Sequence, residues 1–226
     1  MHEFPSPLAP ARVAVFDLDG TITRRDTLVP FLLGWIGQHP ARAWRLLPLP
    51  VTVLGYALRI LDRGGLKAAL IRQSMGGAAR GEVEAWAQAF STQAIAERSL
   101  AGALAAIRRH REAGDYLVLL SASVDCYVPE IGRQLGFDET ICTGLRWRAD
   151  GRLDGKLTTP NRRGAEKRDV FESLRRRFPK AQFIAYANAR SDLAHLVLAD
   201  APHIVNANRR TRAAARRLGI PADGWD

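Results

Sequence analysis

Two aspartates one residue apart are the strongest chemical signal in this 226-residue chain: Asp17 and Asp19, in Asp17-Leu18-Asp19-Gly20-Thr21. They sit at the end of an apolar run, Val13 to Asp17, of strand type. Two carboxylates at i and i+2, on a chain leaving a strand, can face one ligand crevice. One can attack phosphorus while the other handles the proton of the leaving group. Gly20 permits the sharp turn that follows, and Thr21 offers backbone and hydroxyl donors to phosphate oxygens. A surface Asp turn is the plainer alternative for this segment taken by itself.

Three further groups lie just past expected strand ends or at a helix start. Ser121 and Ala122, in LLSAS, would present a hydroxyl and exposed amides to a transferring oxygen; a helix N-cap by Ser121 or Ser123 is the competing role. Lys167 follows Gly164 in G-x-x-K and would neutralise two aspartates crowded against a phosphate; an exposed helix lysine is its alternative, and Lys156 is a weaker competitor for the same task. In Ala187-Asn188-Ala189-Arg190-Ser191-Asp192, Asp192 is placed to bind a hard cation through oxygen or simply to cap the helix after it. The five histidines make no ligand pair at helical spacing. Cys126 and Cys142 have no metal-type spacing and read as buried small apolar residues in a reducing compartment.

These residues need a scaffold, and the chain supplies a rhythm of strands and helices. Strands are expected at Tyr116 to Leu120, Gln182 to Ala187 and His203 to Asn206. Helices are expected around Leu100 to Ile107, Asp125 to Leu135, Ala165 to Phe178 and Asp192 to Leu198, with a basic final helix. A hairpin turning at Asp150-Gly151 interrupts the alternation. The fold class is α/β, a Rossmann-like doubly wound parallel sheet. Between Arg24 and Glu97 the strand rhythm disappears. Residues 1–23 and 98–226 therefore read as the catalytic core and residues 24–97 as an inserted, mostly helical cap.

DLDGT after an apolar strand, a helical insert, LVLLSAS, G-x-x-K and a fourth acidic loop occur here in one order. This combination resembles the haloacid dehalogenase-like phosphatases, in the branch (subfamily IB) of phosphoserine phosphatases and phosphatidylglycerophosphate phosphatase C. The resemblance covers most of the chain. It implies a phosphomonoesterase with Asp17 as nucleophile, forming an aspartyl-phosphate, and Asp19 as general acid/base. Ser121 and Lys167 would hold the phosphoryl group. Mg²⁺ would be bound by Asp17, the Asp19 carbonyl, Asn188 and Asp192, shielding charge in an in-line displacement. The family usually has Gly-Asp where this chain has Ala187-Asn188, so weaker Mg²⁺ affinity is expected.

The insert opens with two apolar runs, 15 residues from Thr27 to Ala41 and 13 from Leu46 to Leu58. Both are shorter than the roughly 20 residues that span a bilayer as a helix. One reading makes them the core of a helical cap. The other makes them an interfacial hairpin, with Arg42, Arg45, Arg59 and Arg63 meeting anionic headgroups, which would suit a lipid phosphate such as phosphatidylglycerophosphate. For phosphoserine, the rival substrate, Asp26 and Arg72 would pair with the amine and the carboxylate. The formal charge of +10, from 33 basic and 23 acidic residues, fits anionic partners or simply solvated arginine faces. A phosphate- or nucleic-acid-binding protein is a different class of reading, suggested by the Arg209 to Arg217 segment. Nucleic acid is disfavoured because no aromatics are interleaved with those arginines. Met1 to Ala11 lacks a signal-peptide pattern, so a cytoplasmic chain is expected, with peripheral association at the inner membrane face as the alternative.

Overall fold

The computed structural model describes residues 10–225, so the reading of Met1 to Ala11 lies outside the described residues except at Pro10 and Ala11. The chain begins with β1 (Arg12–Phe16), whose last four residues are completely or almost completely buried. The helical insert follows: α1 (Leu28–Gln38), a 3-10 segment (Pro40–Leu46), α2 (Leu49–Ala57), α3 (Arg63–Met75) and α4 (Arg80–Arg98). Then come α5 (Ala101–Glu112), β2 (Tyr116–Val124), α6 (Val128–Leu135), β3 (Glu139–Thr143), the pair β4 (Leu145–Trp147) and β5 (Leu153–Leu157), and α7 (Ala165–Arg177). The chain continues through β6 (Gln182–Ala187), a 3-10 turn (Arg190–Asp192), α8 (Leu193–Leu196), β7 (Ala201–Val205), α9 (Arg209–Arg217) and β8 (Ala222–Asp223).

Six strands form one parallel sheet in the order β3-β2-β1-β6-β7-β8. The period of two along each strand divides their side chains between two apolar layers. Val13 and Val15 join Val118, Leu120, Phe183 and Ala185 under α7, α8 and α9. Ala14 and Phe16 join Leu117, Leu119, Ile184 and Tyr186 on the other face, in one cluster with Phe31, Trp35, Ile71, Val83 and Phe90 of the insert. Helices on both faces explain why the central strands read as continuous apolar runs. β1 lies between β2 and β6, where the strand order reverses, so the crevice for a ligand opens beyond its carboxyl end.

Residues 24–97 contribute no strand to this sheet. The chain leaves and rejoins it side by side, through a Thr23–Ser99 bridge and bonds from Arg24 N–H to the Arg98 carbonyl and Leu100 N–H to the Ile22 carbonyl. The antiparallel β4–β5 hairpin turns where the sequence predicts, with Gly151 at φ +74° and Asp150 Oδ1 accepting from the Arg152 N–H.

Several sequence expectations are corrected. β2 does not stop at Leu120: its pairing with β3 resumes after an irregularity at Val124–Thr143, so Ser121 lies inside the strand and the next helix starts only at Val128. β8, two residues long, was not expected and pairs on β7. The two apolar runs of the insert behave oppositely. The first becomes α1, with Leu28, Phe31, Leu32 and Trp35 buried, whereas in α2 only Thr52 is buried. Cys126 and Cys142 are free and half-buried rather than buried. Among the described residues, no helix is long and apolar enough to cross a membrane.

Candidate active site

Asp17 is the first residue beyond β1, and its N–H donates to the Tyr186 carbonyl of β6, which extends the sheet pairing up to the site. The residue is 6% exposed. Oδ1 lies 2.6 Å from Lys167 Nζ and Oδ2 accepts from Thr21 Oγ1 at 3.0 Å, so both oxygens are held and the carboxylate plane is set. Lys167, in the first turn of α7, is 2% exposed and also reaches Asp192 Oδ1 at 3.3 Å. Asp192 ends the 3-10 turn after β6 and is likewise buried. Strands β1 and β6 thus deliver two acids, and α7 inserts the cation between them.

Burial pushes the Asp17 carboxyl up to about 6; Lys167 pulls it down and Asp192 adds to the rise. Burial by itself would lower the Lys167 ammonium, but the Asp17 and Asp192 carboxylates outweigh it and its pKa is raised. Lys167 therefore stays charged. Two buried acids and one buried base leave this inner group one negative charge in excess when all are ionised. A phosphate ester would be repelled unless another cation is added.

Asp19 is locked by three donors. Oδ1 accepts from the Thr27 N–H at 2.8 Å and Thr27 Oγ1 at 2.7 Å, and Oδ2 accepts from Ser123 Oγ at 2.6 Å. The buried Tyr127 hydroxyl lies 2.8 Å from Thr27 Oγ1 and can donate to it while the Thr27 hydroxyl donates to the Asp19 carboxylate. Burial and the nearby Asp26 carboxylate raise the Asp19 pKa, which favours a protonated acid. A Ser123 hydroxyl can donate to the carboxylate and accept from the carboxylic acid, so it serves both protonation states.

Asp17, Asp19, Asp26, Ala122, Lys167, Asn188 and Asp192 line one cavity of about 380 Å³, so most of the predicted set is brought together. Gly20 stands at the turn with φ +83°, and a Cβ there would lie 1.9 Å from Asn188 Nδ2; its lack of a side chain lets the Asn188 amide close over the turn. Asp26 Oδ1 also accepts from the Leu28 and Val29 N–H groups, capping the start of α1 at the cavity wall.

Three assignments change. Ser121 is fully buried and outside the cavity lining, and its Oγ accepts from the Ser123 N–H at 3.0 Å. The pairing irregularity between Leu120 and Val124 leaves Ser121 inside and puts both Ala122 and Ser123 at the wall. Thr21 is also fully buried and outside the lining, with its hydroxyl directed at Asp17 rather than at an incoming phosphate. Arg72 lies elsewhere: its backbone packs against Gly155 of β5, its carbonyl accepts from Arg45, and it lines a separate hollow with Trp44 and Leu47. Lys156 belongs to another hollow with Asp62 and Gly64.

Sequence reasoning missed Lys67 and Tyr56 from the insert, and Asn161 and Arg163 from the loop before α7, which also line the wall; Arg63, expected only as a headgroup contact, lines it too. Lys67 Nζ donates to the Ala122 carbonyl and to Asn161 Oδ1, tying α3 to the end of β2. Burial lowers its pKa to about 8, against the pull of Asp19 and Asp26. A signal existed: in a chain whose basic residues are overwhelmingly arginine, only four positions are lysine, and two of them, Lys67 and Lys167, line this cavity.

A hard divalent cation fits the donor chemistry. Asp17, Asp192 and Asn188 offer oxygens at the same wall, and the buried Ser191 Oγ, also at the cavity, has no partner among the described residues. Among the described residues, no three His, Cys, Asp or Glu side chains converge on one metal position. The ion would therefore depend on two carboxylates supplemented by neutral oxygens.

A parallel sheet with acids beyond the carboxyl ends of β1 and β6, a buried lysine between them and a helical insert along the crevice defines a Rossmann-like α/β protein with a charged site at its switch point. The chain belongs to the haloacid dehalogenase-like hydrolase family, whose model matches residues 14–196. It is 34% identical over 193 residues to Protein CicA of Caulobacter vibrioides, covering 83% of each chain. Its fold is similar to that of a protein of unknown function from Bordetella pertussis Tohama I, with TM-score 0.79, 22% identity, and 95% of this chain and 98% of that one covered. A phosphoserine phosphatase in a phospho-aspartyl intermediate analogue form is also similar in fold, with TM-score 0.65, 15% identity, and 96% and 95% covered.

Proposed function

We propose that this chain is a Mg²⁺-dependent phosphomonoesterase working through an aspartyl-phosphate on Asp17, with residues 24–97 as the cap over its site. The buried Asp17–Lys167–Asp192 group carries this reading, because it faces the same cavity as an independently anchored Asp19. Lys167 and Thr21 hold the Asp17 carboxylate so that one oxygen attacks phosphorus in line. As the P–O ester bond breaks, Asp19 gives its proton to the departing oxygen. Asp19 then takes a proton from a water that attacks the phosphorus of the aspartyl-phosphate, releasing orthophosphate and restoring Asp17. Lys167 stabilises the negative charge on the transferring group throughout. Mg²⁺, held by Asp17, the Asp19 carbonyl, Asn188 and Asp192, would supply the positive charge that lets a phosphate ester approach two acids.

The substrate is a phosphate monoester whose remainder reaches the cationic wall formed by Arg63, Lys67 and Arg163. Helix α2, which lends Tyr56 to the cavity and exposes Val51 and Leu54, favours a lipid phosphate such as phosphatidylglycerophosphate. Phosphoserine is the second reading. Asp26 beside Lys67 and Arg63 offers partners for an ammonium and a carboxylate, a task for which Arg72 is out of place. Phosphate release with Mg²⁺ from phosphoserine, phosphatidylglycerophosphate, lysophosphatidic acid, glycerol phosphate and an aryl phosphate tests both readings beside Asp17→Asn. Release from any of them that vanishes in the variant supports the mechanism, and the preferred substrate chooses between the readings. Equal release from the variant would overturn the role of Asp17.

A further inference from the structure

Helix α2 wears its amphipathicity inside out. Its buried residue is Thr52, whose Oγ1 accepts from Gln73 Nε2 at 2.7 Å. Leu47, Val51, Leu54 and Leu58 follow one another at i, i+4, i+7 and i+11, a stripe that runs from just before α2 to just after it, with the exposed Val53 beside it. The four stripe residues and Ile60 are 56% to 78% exposed. Trp44, on the 3-10 segment before the helix, is also exposed. Isolated apolar residues on a surface need no explanation, but a contiguous stripe with its polar residue turned inward marks an interaction face.

Charge selects the occupant. From Thr27 to Leu61 the sequence contains no Asp or Glu, while Arg59 is exposed just past the stripe and Arg63 follows at the start of α3. A second copy of the chain would bring these arginines face to face, with Asp62, already occupied in capping α3, as the acid between them in sequence. An anionic lipid surface would satisfy the arginines with headgroups and the stripe with acyl chains. At nine residues α2 is too short to cross a bilayer and suits shallow insertion. The same elements reach the cavity, since Tyr56 of α2 and Arg63 of α3 line it.

We propose that the Leu47–Val51–Leu54–Leu58 face docks on an anionic bilayer and turns the cavity mouth toward phosphate monoesters anchored in it. The docking stands on the surface alone; the substrate class rests on the phosphomonoesterase reading.

Flotation of the full chain with vesicles of equal parts phosphatidylglycerol and phosphatidylcholine tests the docking, beside pure phosphatidylcholine vesicles and the double variant Val51→Asp/Leu54→Asp. Wild type should float with the anionic vesicles at low salt, and the double variant should lose binding by about tenfold or more. Trp44 emission should shift to the blue on binding, and Trp44→Phe should abolish most of that shift. Both exposed substitutions should leave the melting temperature and aryl phosphate hydrolysis unchanged, so lost binding cannot be put down to unfolding. Wild type that stays unbound, or a double variant that floats equally well, would overturn the proposal. A wild-type dimer dissociated by the same substitutions, without vesicle binding, would overturn it in favour of a second copy. Flotation without phosphate release from any substrate would leave the docking standing and remove the phosphomonoesterase reading.

Discussion

Gly20→Ala probes the contact between the turn after β1 and the loop after β6. The substitution acts in two ways that can be separated. First, alanine must adopt φ +83°, a left-handed conformation that costs roughly 1–2 kcal/mol for a residue with a Cβ. Second, the new Cβ would lie 1.9 Å from Asn188 Nδ2, so the Asn188 side chain must swing out of the cavity. Moving the free end of one side chain costs little stability, so the backbone strain should dominate the unfolding free energy and the displaced amide should dominate the loss of activity. Urea unfolding should show a loss of about 1–2 kcal/mol in both the wild-type and Asn188→Ala backgrounds. Phosphate release under Mg²⁺ should fall by roughly tenfold in Gly20→Ala, equally in Asn188→Ala, and no further in the double variant, because one group is removed in all three. If the double variant shows the product of the two single losses, Gly20 does not act through Asn188 and the reasoning fails.

Lys167→Met should be the most destructive change of this set. It strands the Asp17 and Asp192 carboxylates in the interior, with an expected loss of about 3–5 kcal/mol by chemical denaturation together with loss of phosphate release. Asn188→Asp adds a carboxylate at the wall and should lower the Mg²⁺ concentration for half-maximal activity by about tenfold, read from a metal titration. Lys67 gives a pH signature. Its folded pKa of about 8 lies below the ordinary 10.5, so between these values the unfolded chain binds more protons and wild-type stability must rise with pH relative to Lys67→Met. The difference should grow by about 2 kcal/mol between urea unfolding at pH 7.5 and at pH 10; a constant difference would show that Lys67 is not desolvated.

The alternation of apolar strands with helices was sufficient to predict a buried parallel sheet, because a strand covered on both faces must be apolar along its whole length. Asp17, Asp19, Lys167 and Asp192 were likewise legible. Polar residues immediately beyond such strands, or at the start of the next helix, fall at the carboxyl edge of the sheet whatever the loops do. Side-chain direction was not legible to the same degree. The pairing irregularity between Leu120 and Val124 separates Ser121 from Ser123, which a regular strand would place on one face, so Ser121 went inside and Ser123 to the wall. The insert was harder still. Helical periodicity reports that a face is apolar but not what covers it, and the two apolar runs met opposite fates as buried α1 and exposed α2. Whether Lys67, Arg63 or Arg72 reaches a site built some distance away in sequence depends on how α3 packs against β2, β5 and the loop before α7. Those contacts between residues as far apart as Lys67 and Asn161 arise from packing across the whole fold, which no local pattern encodes.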